Sequence, residues 1–278
     1  MQNLSLPSPA KLNLFLHILG RRNDGYHNIQ TLFQFIDWCD TLHFHLRNDD
    51  RIVLSSNMVD LPDDQNLIVK AANCLREETG CTYGINIDLQ KNLPMGAGIG
   101  GGSSNAATTL LALNYLWQTQ LNTETLMAIG RRIGADVPIF VYGHASWAEG
   151  IGDELTPMIL PESWYVLLVP KTSVRTESIY QDPRLTRDSA ALTMDHYRPG
   201  QGHNDFERLL RFDYPEIAHA LDWLGQFSKS RMTGSGSVVF AAFDSKEEAG
   251  TIAAQAPPSY QVQVVKGLNE SPLHKILK

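Results

Sequence analysis

The chain has 278 residues, which is enough to bury a sizeable hydrophobic core and is typical of two domains. Its formal net charge of −7 and its lack of clustered Lys and Arg argue against a general nucleic-acid or membrane surface, so an anionic ligand must be bound by local groups. Three cysteines without disulfide or zinc spacing fit a reducing cytoplasm, and no export signal or bilayer-spanning apolar run is expected.

The first predicted element is a strand over residues 8–18, where apolar and polar residues alternate. This pattern predicts a half-buried strand with one apolar face (Ala10, Leu12, Leu14, Leu16, Ile18) and one opposite face (Lys11, Asn13, Phe15, His17). A helical stripe follows at 66–78, and alternation returns at 83–90. The predicted order is therefore strand, helix, strand, glycine-rich loop and helix.

Two helices are predicted after the glycine-rich loop. Ser103 is a candidate N-cap for a helix that runs to about Trp117, and a second helix begins at Thr123 and ends near Gly134. We expect a domain boundary within 157–162, which predicts domains over 1–157 and 158–278.

Strands and helices alternate again in the second predicted domain. The strands are expected at 164–170, 237–243 and 260–265, and two of the helices at 204–212 and 215–228. A further helix follows Ser245, where Glu248 completes a capping box. These elements indicate the α+β class.

The glycine-rich loop lies in the segment 94–107, PMGAGIGGGSSNAA, which has five glycines within seven positions. Glycine is favoured where φ is positive or where another group must approach the backbone closely. A helix N-terminus also offers unpaired N–H groups and a partial positive charge to an anion. A purely structural turn is the alternative, but the run of glycines followed by two serines favours a phosphate-binding loop.

Two common phosphate-binding motifs fit this loop poorly. The GxGxxG pattern is satisfied, but a second helix follows where a dinucleotide-binding fold needs a strand. A Walker A outline is also present, with Gly102 in place of the lysine. A phosphoryl-transfer site at this loop therefore needs its cation from another element.

Lys11 on the first strand and Asp136 in the segment GADVPIF are the candidate partners of the loop. Taken singly, such a lysine is commonly solvated and such an aspartate commonly stabilises a turn. Together, however, a phosphate loop, a strand lysine and a loop aspartate are the three parts that a small-molecule kinase needs.

Four segments (PSPAKLNLFL, LPMGAGIGGGSSNAA, GADVPIF and MTGSGSVVF) stand in the order of the galactokinase, homoserine kinase, mevalonate kinase and phosphomevalonate kinase superfamily. The resemblance covers nearly the whole chain. Within this superfamily, PSPAKLNLFL followed by DGYH (24–27), QTLFQF (30–35) and AEGIG (148–152) resembles the kinases that act on a diphosphocytidyl-linked methylerythritol in the non-mevalonate isoprenoid pathway. The resemblance implies an α+β fold with a ribosomal-protein-S5-like N-terminal domain, a ferredoxin-like C-terminal domain and a cleft for ATP and substrate.

The resemblance also implies roles for individual residues. Asp136 would remove the proton from a tertiary hydroxyl of the substrate, and Lys11 would orient Asp136 and offset charge. The expected ATP-binding residues are Pro94, Met95, Gly96, Ala97, Gly98, Ile99, Gly100, Gly101, Gly102, Ser103 and Ser104, with Asn66, Leu67, Ile68 and Lys91 around the adenine. The expected substrate-binding residues are Asn13, Tyr26, His27, Tyr180, Gly234, Ser235 and Gly236. Tyr26 and Tyr180 would clamp the cytosine, with His27 at its edge.

Mg²⁺ is expected with ATP because it bridges the β- and γ-phosphate oxygens. Its protein ligands stay open, since the serines of this loop stand two places later than in relatives that read GLGSSA. Glu149 and Asp153 are more typical of surface loop acids. The alternatives to this function are another small-alcohol kinase, of the mevalonate or homoserine type, and a non-catalytic nucleotide-binding module. A cytoplasmic monomer or weak homodimer is expected, with a small-molecule substrate and neither nucleic acid nor membrane as partner.

Overall fold

The computed structural model describes residues 3–57 and 66–277. The first half of the chain contains β1 (Asn3–Arg21), β2 (His27–Arg47), β3 (Ile52–Ser56), α1 (Leu67–Thr79), β4 (Gly84–Gln90), α2 (Gly101–Leu116), α3 (Thr123–Ile133), α4 (Val137–Tyr142), β5 (Ser146–Glu149) and β6 (Glu154–Pro157). The second half contains β7 (Trp164–Val169), α5 (Thr176–Gln181), a 3₁₀ turn (Met194–His196), α6 (Asp205–Asp213), α7 (Pro215–Leu224), β8 (Arg231–Met232), β9 (Val239–Phe243), α8 (Lys246–Ala253), β10 (Gln261–Leu268) and α9 (Pro272–Ile276). None of the described helices is both long and apolar enough to cross a bilayer.

A mixed sheet joins the two halves of the chain. Its strand order is β3-β4-β2-β10-β7-β9-β8, with β1 paired to β2 and β5 paired to both β2 and β6. The link is a short antiparallel pairing of β10 with β2, in which Gly267 lies opposite Ile36 and Leu268 opposite Phe35. The last described helix, α9, also packs Leu273 into the core of the first half.

The two largest of four apolar clusters among the described residues lie on this sheet. One packs α1, α2, α3 and α4 against β2 and β4, and the other packs α6 and α7 against β7 and β9. These separate cores explain why strands and helices alternate in both halves of the sequence. The boundary between residues 157 and 158 stays a prediction.

The prediction of a half-buried first strand was wrong, because both faces of β1 are covered. Lys11 and Asn13 each expose only 2% of their surface, and His17 exposes 4%. The second face lies under segments from distant parts of the chain: Lys11 Nζ donates to Gly98 O at 3.1 Å, and His17 Nδ1 bonds to Ala190 O at 3.0 Å. Such coverage leaves no signal in the local alternation of residues.

The start of α2 also differs from the prediction. The helix begins at Gly101, after Gly100 at φ 74°, so Ser103 lies inside the first turn and is not the N-cap. A left-handed glycine can turn the chain into the helix without a side-chain cap. The predicted cap at Ser245 is confirmed, since its hydroxyl accepts a hydrogen bond from Glu248 N–H at 3.1 Å.

Candidate active site

A cavity of about 980 Å³ lies where β1, the loop 94–100, the start of α4 and the turn 233–236 meet. The predicted site residues that line it are Lys11, Asn13, Asn66, Leu67, Ile68, Lys91, Pro94, Met95, Gly96, Ala97, Gly98, Ile99, Gly100, Gly101, Gly102, Ser103, Asp136, Tyr180, Gly234 and Ser235. Tyr26, His27, Ser104 and Gly236 are not among its lining residues. The fold therefore brings most of the predicted site together around one space.

The Lys11 ammonium is buried at the centre of the site and has three acceptors. Lys11 Nζ donates to Asn13 Oδ1 at 2.5 Å and to Gly98 O at 3.1 Å, and it lies 3.2 Å from Asp136 Oδ2. An ammonium has three N–H groups, so these contacts use all of them. Lys11 thus ties the glycine loop to the Asp136 carboxylate.

Asp136 is the residue that precedes α4, whose second position is a proline. Its side chain makes no capping hydrogen bond to the helix. The Asp136 side chain is 37% exposed, whereas the Lys11 side chain is only 2% exposed. A general base must be both oriented and accessible to its substrate. The ion pair with Lys11 gives the first property and the opening to the cavity gives the second.

Asn13 organises the floor of the site through hydrogen bonds on every side. Its amide nitrogen donates to Thr31 Oγ1 at 2.9 Å, its amide oxygen accepts from Lys11, and its backbone N–H donates to Thr233 Oγ1 at 2.8 Å. In this conformation the side chain orients Lys11, and its predicted contact with substrate stays a prediction.

The glycines of the loop meet different requirements. Gly98 and Gly234 both have positive φ and face each other, because a Cβ on Gly234 would lie 2.5 Å from Gly98 O. A Cβ on Gly100 would lie 2.8 Å from the Phe140 ring and 3.0 Å from Lys11 Cε. These three positions need glycine for the fold itself.

Gly102 is different, because no atom of the described residues explains its lack of a side chain. A Cβ there would meet nothing nearer than Leu67 Cδ1 at 3.5 Å, and its φ is not positive. The residue is exposed in the first turn of α2 and lines the cavity. The unpaired N–H groups of a first helical turn are suited to an anion, and at Gly102 no side chain would obstruct its approach.

The two serines after Gly102 point to different places. Ser104 is fully buried, and its hydroxyl accepts a hydrogen bond from Ser8 at 2.8 Å. Ser103 lines the cavity, and its hydroxyl lies 3.8 Å from where a Cβ on Gly134 would stand, next to the turn that carries Asp136. Of the two, Ser103 is the one whose hydroxyl is open to a ligand.

Oxygen groups that fit a magnesium ion are few at this site. Glu149 accepts a hydrogen bond from Gln30 at 2.9 Å, and Asp153 pairs with Arg131 at 2.5 Å, so both acids are engaged elsewhere. Residues 3–57 and 66–277 contain no cluster of three or more His, Cys, Asp or Glu that could hold a metal. Mg²⁺ commonly needs only one or two protein oxygens besides phosphate and water, and the Ser103 hydroxyl, which lines the cavity, fits that requirement.

His27 and Tyr180 form a stacked pair beside the cavity, with ring centroids 4.9 Å apart. Arg187, which the sequence reading missed, donates to His27 Nε2 at 3.1 Å and to Tyr180 O at 2.8 Å. Burial and the nearby Arg187 charge lower the pKa of His27, so its neutral form is favoured. Because Nε2 accepts this bond, the ring proton is on Nδ1.

The Tyr26 ring does not pack against the rings of this pair, and 58% of the surface of Tyr26 is exposed. Burial raises the pKa of the Tyr180 hydroxyl well above its usual range. The two tyrosines thus occupy unlike environments, and the predicted clamp around cytosine stays a prediction.

Family comparisons agree with this geometry. Residues 66–144 match the GHMP kinases N terminal domain, and residues 190–261 match the GHMP kinases C terminal domain. The chain belongs to the GHMP kinase family. This membership confirms the predicted superfamily, the mixed α+β two-domain fold and the assignment as an ATP-using phosphotransferase.

Several GHMP kinases resemble this chain over its whole length. A 4-diphosphocytidyl-2-C-methyl-D-erythritol kinase from Pseudomonas aeruginosa is 51% identical over 275 residues, which are 99% of this chain and 98% of the relative. A kinase of the same name from Nitrosococcus oceani is 50% identical, with 95% of each chain covered.

Solved structures of GHMP kinases also superpose on the chain. The crystal structure of a 4-(cytidine 5'-diphospho)-2C-methyl-D-erythritol kinase matches with a TM-score of 0.82 and 30% identity, covering 95% of this chain and 99% of the other. A mevalonate kinase structure matches with a TM-score of 0.68 at 14% identity, covering 96% of this chain and 100% of the other, which shows a shared fold alone.

Proposed function

We propose that the chain transfers the γ-phosphoryl group of ATP to the tertiary 2-hydroxyl of 4-diphosphocytidyl-2-C-methyl-D-erythritol, a step of the non-mevalonate route to isoprenoid precursors. The observation that carries the chemistry is the Lys11 ammonium, held between Asp136 and the Gly98 carbonyl of the glycine loop. The choice of acceptor is supported by relatives of that name at about 51% identity over 99% of the chain.

In this reaction Asp136 takes the proton of the acceptor hydroxyl as its oxygen attacks the γ-phosphorus atom, and ADP leaves on the opposite side. Lys11 fixes the position of the Asp136 carboxylate and keeps a positive charge beside the loop. Phosphoryl transfer depends mainly on positioning and on charge stabilisation, and this arrangement supplies both.

The phosphates would lie against the first turn of α2, where Gly101 and Gly102 present backbone N–H groups. Ser103 would hold the accompanying Mg²⁺, with phosphate and water oxygens completing its ligands. When bound, Mg²⁺ neutralises charge that develops on the β- and γ-phosphate oxygens. The adenine would lie at the start of α1, where Asn66 already uses its side-chain oxygen to accept from Ile68 N–H at 3.0 Å.

The cytidyl end of the acceptor would lie near Tyr180 and His27, with Tyr26 closing over the base. An aromatic ring gives a base a stacking surface, and the His27 Nδ1–H gives it a donor. The turn Gly234–Gly236 would hold the acceptor from the second half of the chain.

The fold assignments that go with this proposal are a ribosomal-protein-S5-like domain over 1–157 and a ferredoxin-like domain over 158–278. We infer a cytoplasmic enzyme that is monomeric or weakly dimeric and binds neither nucleic acid nor membrane. Three free cysteines and the net charge of −7 support this inference.

Phosphorylation of a panel of alcohols tests the proposed function. Purified enzyme, MgATP and one of four acceptors are combined: the diphosphocytidyl substrate, free methylerythritol, mevalonate or homoserine. We expect ADP release and a phosphorylated product with the diphosphocytidyl substrate, at a kcat/KM at least 100-fold above the others. Equal turnover of free methylerythritol would contradict the proposed acceptor, and turnover of mevalonate or homoserine alone would identify another small-alcohol kinase.

A further inference from the structure

Asp40, on β2, is a fully buried carboxylate beneath the glycine loop. One of its oxygens accepts hydrogen bonds from the backbone N–H groups of Asn92 at 2.7 Å and Leu93 at 2.8 Å. The other accepts from Asn105 Nδ2 at 2.9 Å and from Lys91 Nζ. Four donors thus converge on a carboxylate that no solvent reaches.

The donors to Asp40 lie at both ends of the glycine loop. Asn92 and Leu93 come immediately before Pro94, where the loop begins, and Asn105 lies in the second turn of α2. One rigid anion on β2 therefore sets where the loop starts and where the helix after it is placed. The hydrogen bonds to a charged group are about twice as strong as those between neutral groups.

The fourth donor, Lys91, is itself part of the nucleotide cavity. Its side chain is 7% exposed, and Nζ lies 3.1 Å from where a Cβ on Gly101 would stand, at the N-terminus of α2. Within the described residues, Asp40 is the one hydrogen-bond acceptor for this ammonium. Two of its three N–H groups are then available to a ligand that reaches this wall of the cavity.

We propose that Asp40 is a positioning residue for the nucleotide, which acts by holding Lys91 at the cavity wall and both ends of the glycine loop in place. This assignment rests on the proposed use of ATP at the site. Asp40 touches neither nucleotide nor acceptor, and its effect is expected in ATP binding rather than in the chemistry at Asp136.

The test is the variant Asp40→Asn, which keeps the shape of the side chain and removes its charge. We expect the KM for ATP and the Kd of a non-hydrolysable ATP analogue to rise about 10- to 100-fold, which is the loss of a hydrogen bond between charged groups. The kcat and the KM for the acceptor should change less than threefold. An unchanged ATP affinity in folded Asp40→Asn would overturn the proposal.

A double-mutant cycle with Lys91→Met tests the path through Lys91. If Asp40 acts through Lys91, the second substitution should add little to the loss caused by the first. Losses of ATP affinity that multiply would show that Asp40 does not act through Lys91 and would overturn that part of the proposal.

Asp205→Asn is the matched control, because Asp205 is also a buried carboxylate with several donors, including Ile18 N–H at 2.6 Å and Ser189 Oγ at 2.8 Å. These donors belong to β1 and to the segment before α6, and not to the glycine loop or to Lys91, so the KM for ATP of this variant should stay within twofold of wild type. An equal rise of the KM for ATP in this control would mean that loss of any buried carboxylate weakens ATP, and would overturn the assignment.

If Asp40→Asn does not fold, the variant Asp40→Glu tests the same proposal, because it keeps the charge but moves the carboxylate away from its four donors. We expect this variant also to raise the KM for ATP, and a normal KM would overturn the proposal. The turnover of the wild-type enzyme separates the two proposals. If the wild type shows no ATP-dependent phosphorylation, the proposed function is wrong. If the wild type turns over normally and the Asp40 variants bind ATP normally, only the positioning role of Asp40 is wrong.

Discussion

The Lys11 ammonium and the Asp136 carboxylate form a unit, since each is the closest charged partner of the other at 3.2 Å. We expect Asp136→Ala to lower kcat by about 10²- to 10⁴-fold with little change in ATP affinity, because the carboxylate acts on the acceptor hydroxyl. Lys11→Met should cause a similar loss. The double variant should be only slightly slower than either single one.

Steady-state kinetics of the three variants measures this coupling. Asp153→Asn is a control, because that carboxylate pairs with Arg131 at 2.5 Å and has no place in the proposed chemistry. Losses in kcat that multiply in the double variant would show that Lys11 and Asp136 act independently.

Arg187 controls which nitrogen of His27 carries the proton. Its guanidinium always donates, so Arg187 Nε holds His27 Nε2 as an acceptor and leaves Nδ1–H as a donor. Cytosine offers an acceptor at ring position N3, where uracil has a donor. Arg187→Leu should therefore raise the KM for the diphosphocytidyl substrate about tenfold and narrow the preference over its diphosphouridyl analogue.

Competition between the two acceptors, with product analysis, measures that preference. The control is Arg184→Leu, which removes a nearby arginine that pairs with Asp182 and Asp213 and does not reach His27. An unaltered preference in Arg187→Leu would show that His27 does not depend on Arg187.

The residues that could be predicted are those with a local signal. Lys11 and Asp136 stand in short motifs, and the glycine loop is visible as a compositional anomaly. Asp40 and Arg187 could not be predicted, because their partners Lys91 and His27 are 51 and 160 residues away in the chain. Only the folded sheet brings such pairs together.

At the scale of elements, the first turn of α2 holds a glycine that the fold does not require. Gly102→Ala should stabilise the helix by up to about 1 kcal/mol, because alanine has the higher helix propensity. The same methyl group stands where phosphate is proposed to approach, so we expect the Kd for ATP to rise at least fivefold. Thermal unfolding and calorimetric titration with an ATP analogue measure the two effects.

Gly250 in α8 is the matched control for Gly102. It is also a helical glycine, and a Cβ there would meet nothing within 4 Å. Gly250→Ala should raise the unfolding temperature without any change in ATP affinity. If Gly102→Ala were to bind ATP normally, the phosphates would not lie against this turn.

His17, which joins β1 to the segment before α6, makes the stability of this contact depend on pH. His17 Nδ1 bonds to Ala190 O at 3.0 Å, and its Nε2 accepts from His203 N–H at 3.3 Å. Burial, and after it the charge of His203, lowers the pKa of His17 below 6.5. The hydrogen bond to Ala190 O and the charge of Asp205 raise this pKa in part, and Arg231 lowers it further.

The sign of the pH effect follows from that lowered pKa. Below about pH 6.5 His17 binds a proton more readily in the unfolded chain than in the folded one. The contribution of neutral His17 to the free energy of unfolding is therefore complete above this pH and decreases as the pH falls. His17→Gln should show a smaller loss of unfolding temperature between about pH 7 and pH 5 than wild type. The control is His219→Gln, at an exposed histidine, and an equal slope in His17→Gln would contradict this assignment.

Elements were predictable where one face of a strand or helix is polar, and β2 shows where this fails. Gln30, Thr31 and Gln34 of this strand are buried although they are polar, since they bond across to other segments. Burial on both faces removes the period of two on which strand prediction depends. The same cause hid the buried second face of β1.

On the scale of the whole molecule, the active site depends on a backbone contact between the two halves. Gly98 of the loop and Gly234 of the turn 233–236 approach so closely that a Cβ on either would collide with the backbone of the other segment. Val238 N–H also donates to Ala97 O at 3.2 Å. The position of Lys11, which bonds to Gly98 O, is therefore coupled to the second half.

Gly234→Ala tests this coupling, because its Cβ would stand 2.5 Å from Gly98 O and would push the turn away from the loop. We expect kcat/KM to fall at least tenfold and the unfolding temperature to decrease. Gly80→Ala is the control: Gly80 has a similar φ of +66°, but no atom lies within 4 Å of the added Cβ. Both variants bear the strain of a left-handed alanine, about 1 kcal/mol, so only the collision differs between them. Because Gly80 lies far from the loop in the C-cap of α1, an equal loss of kcat/KM in both variants would show that backbone strain, and not contact between the halves, governs activity.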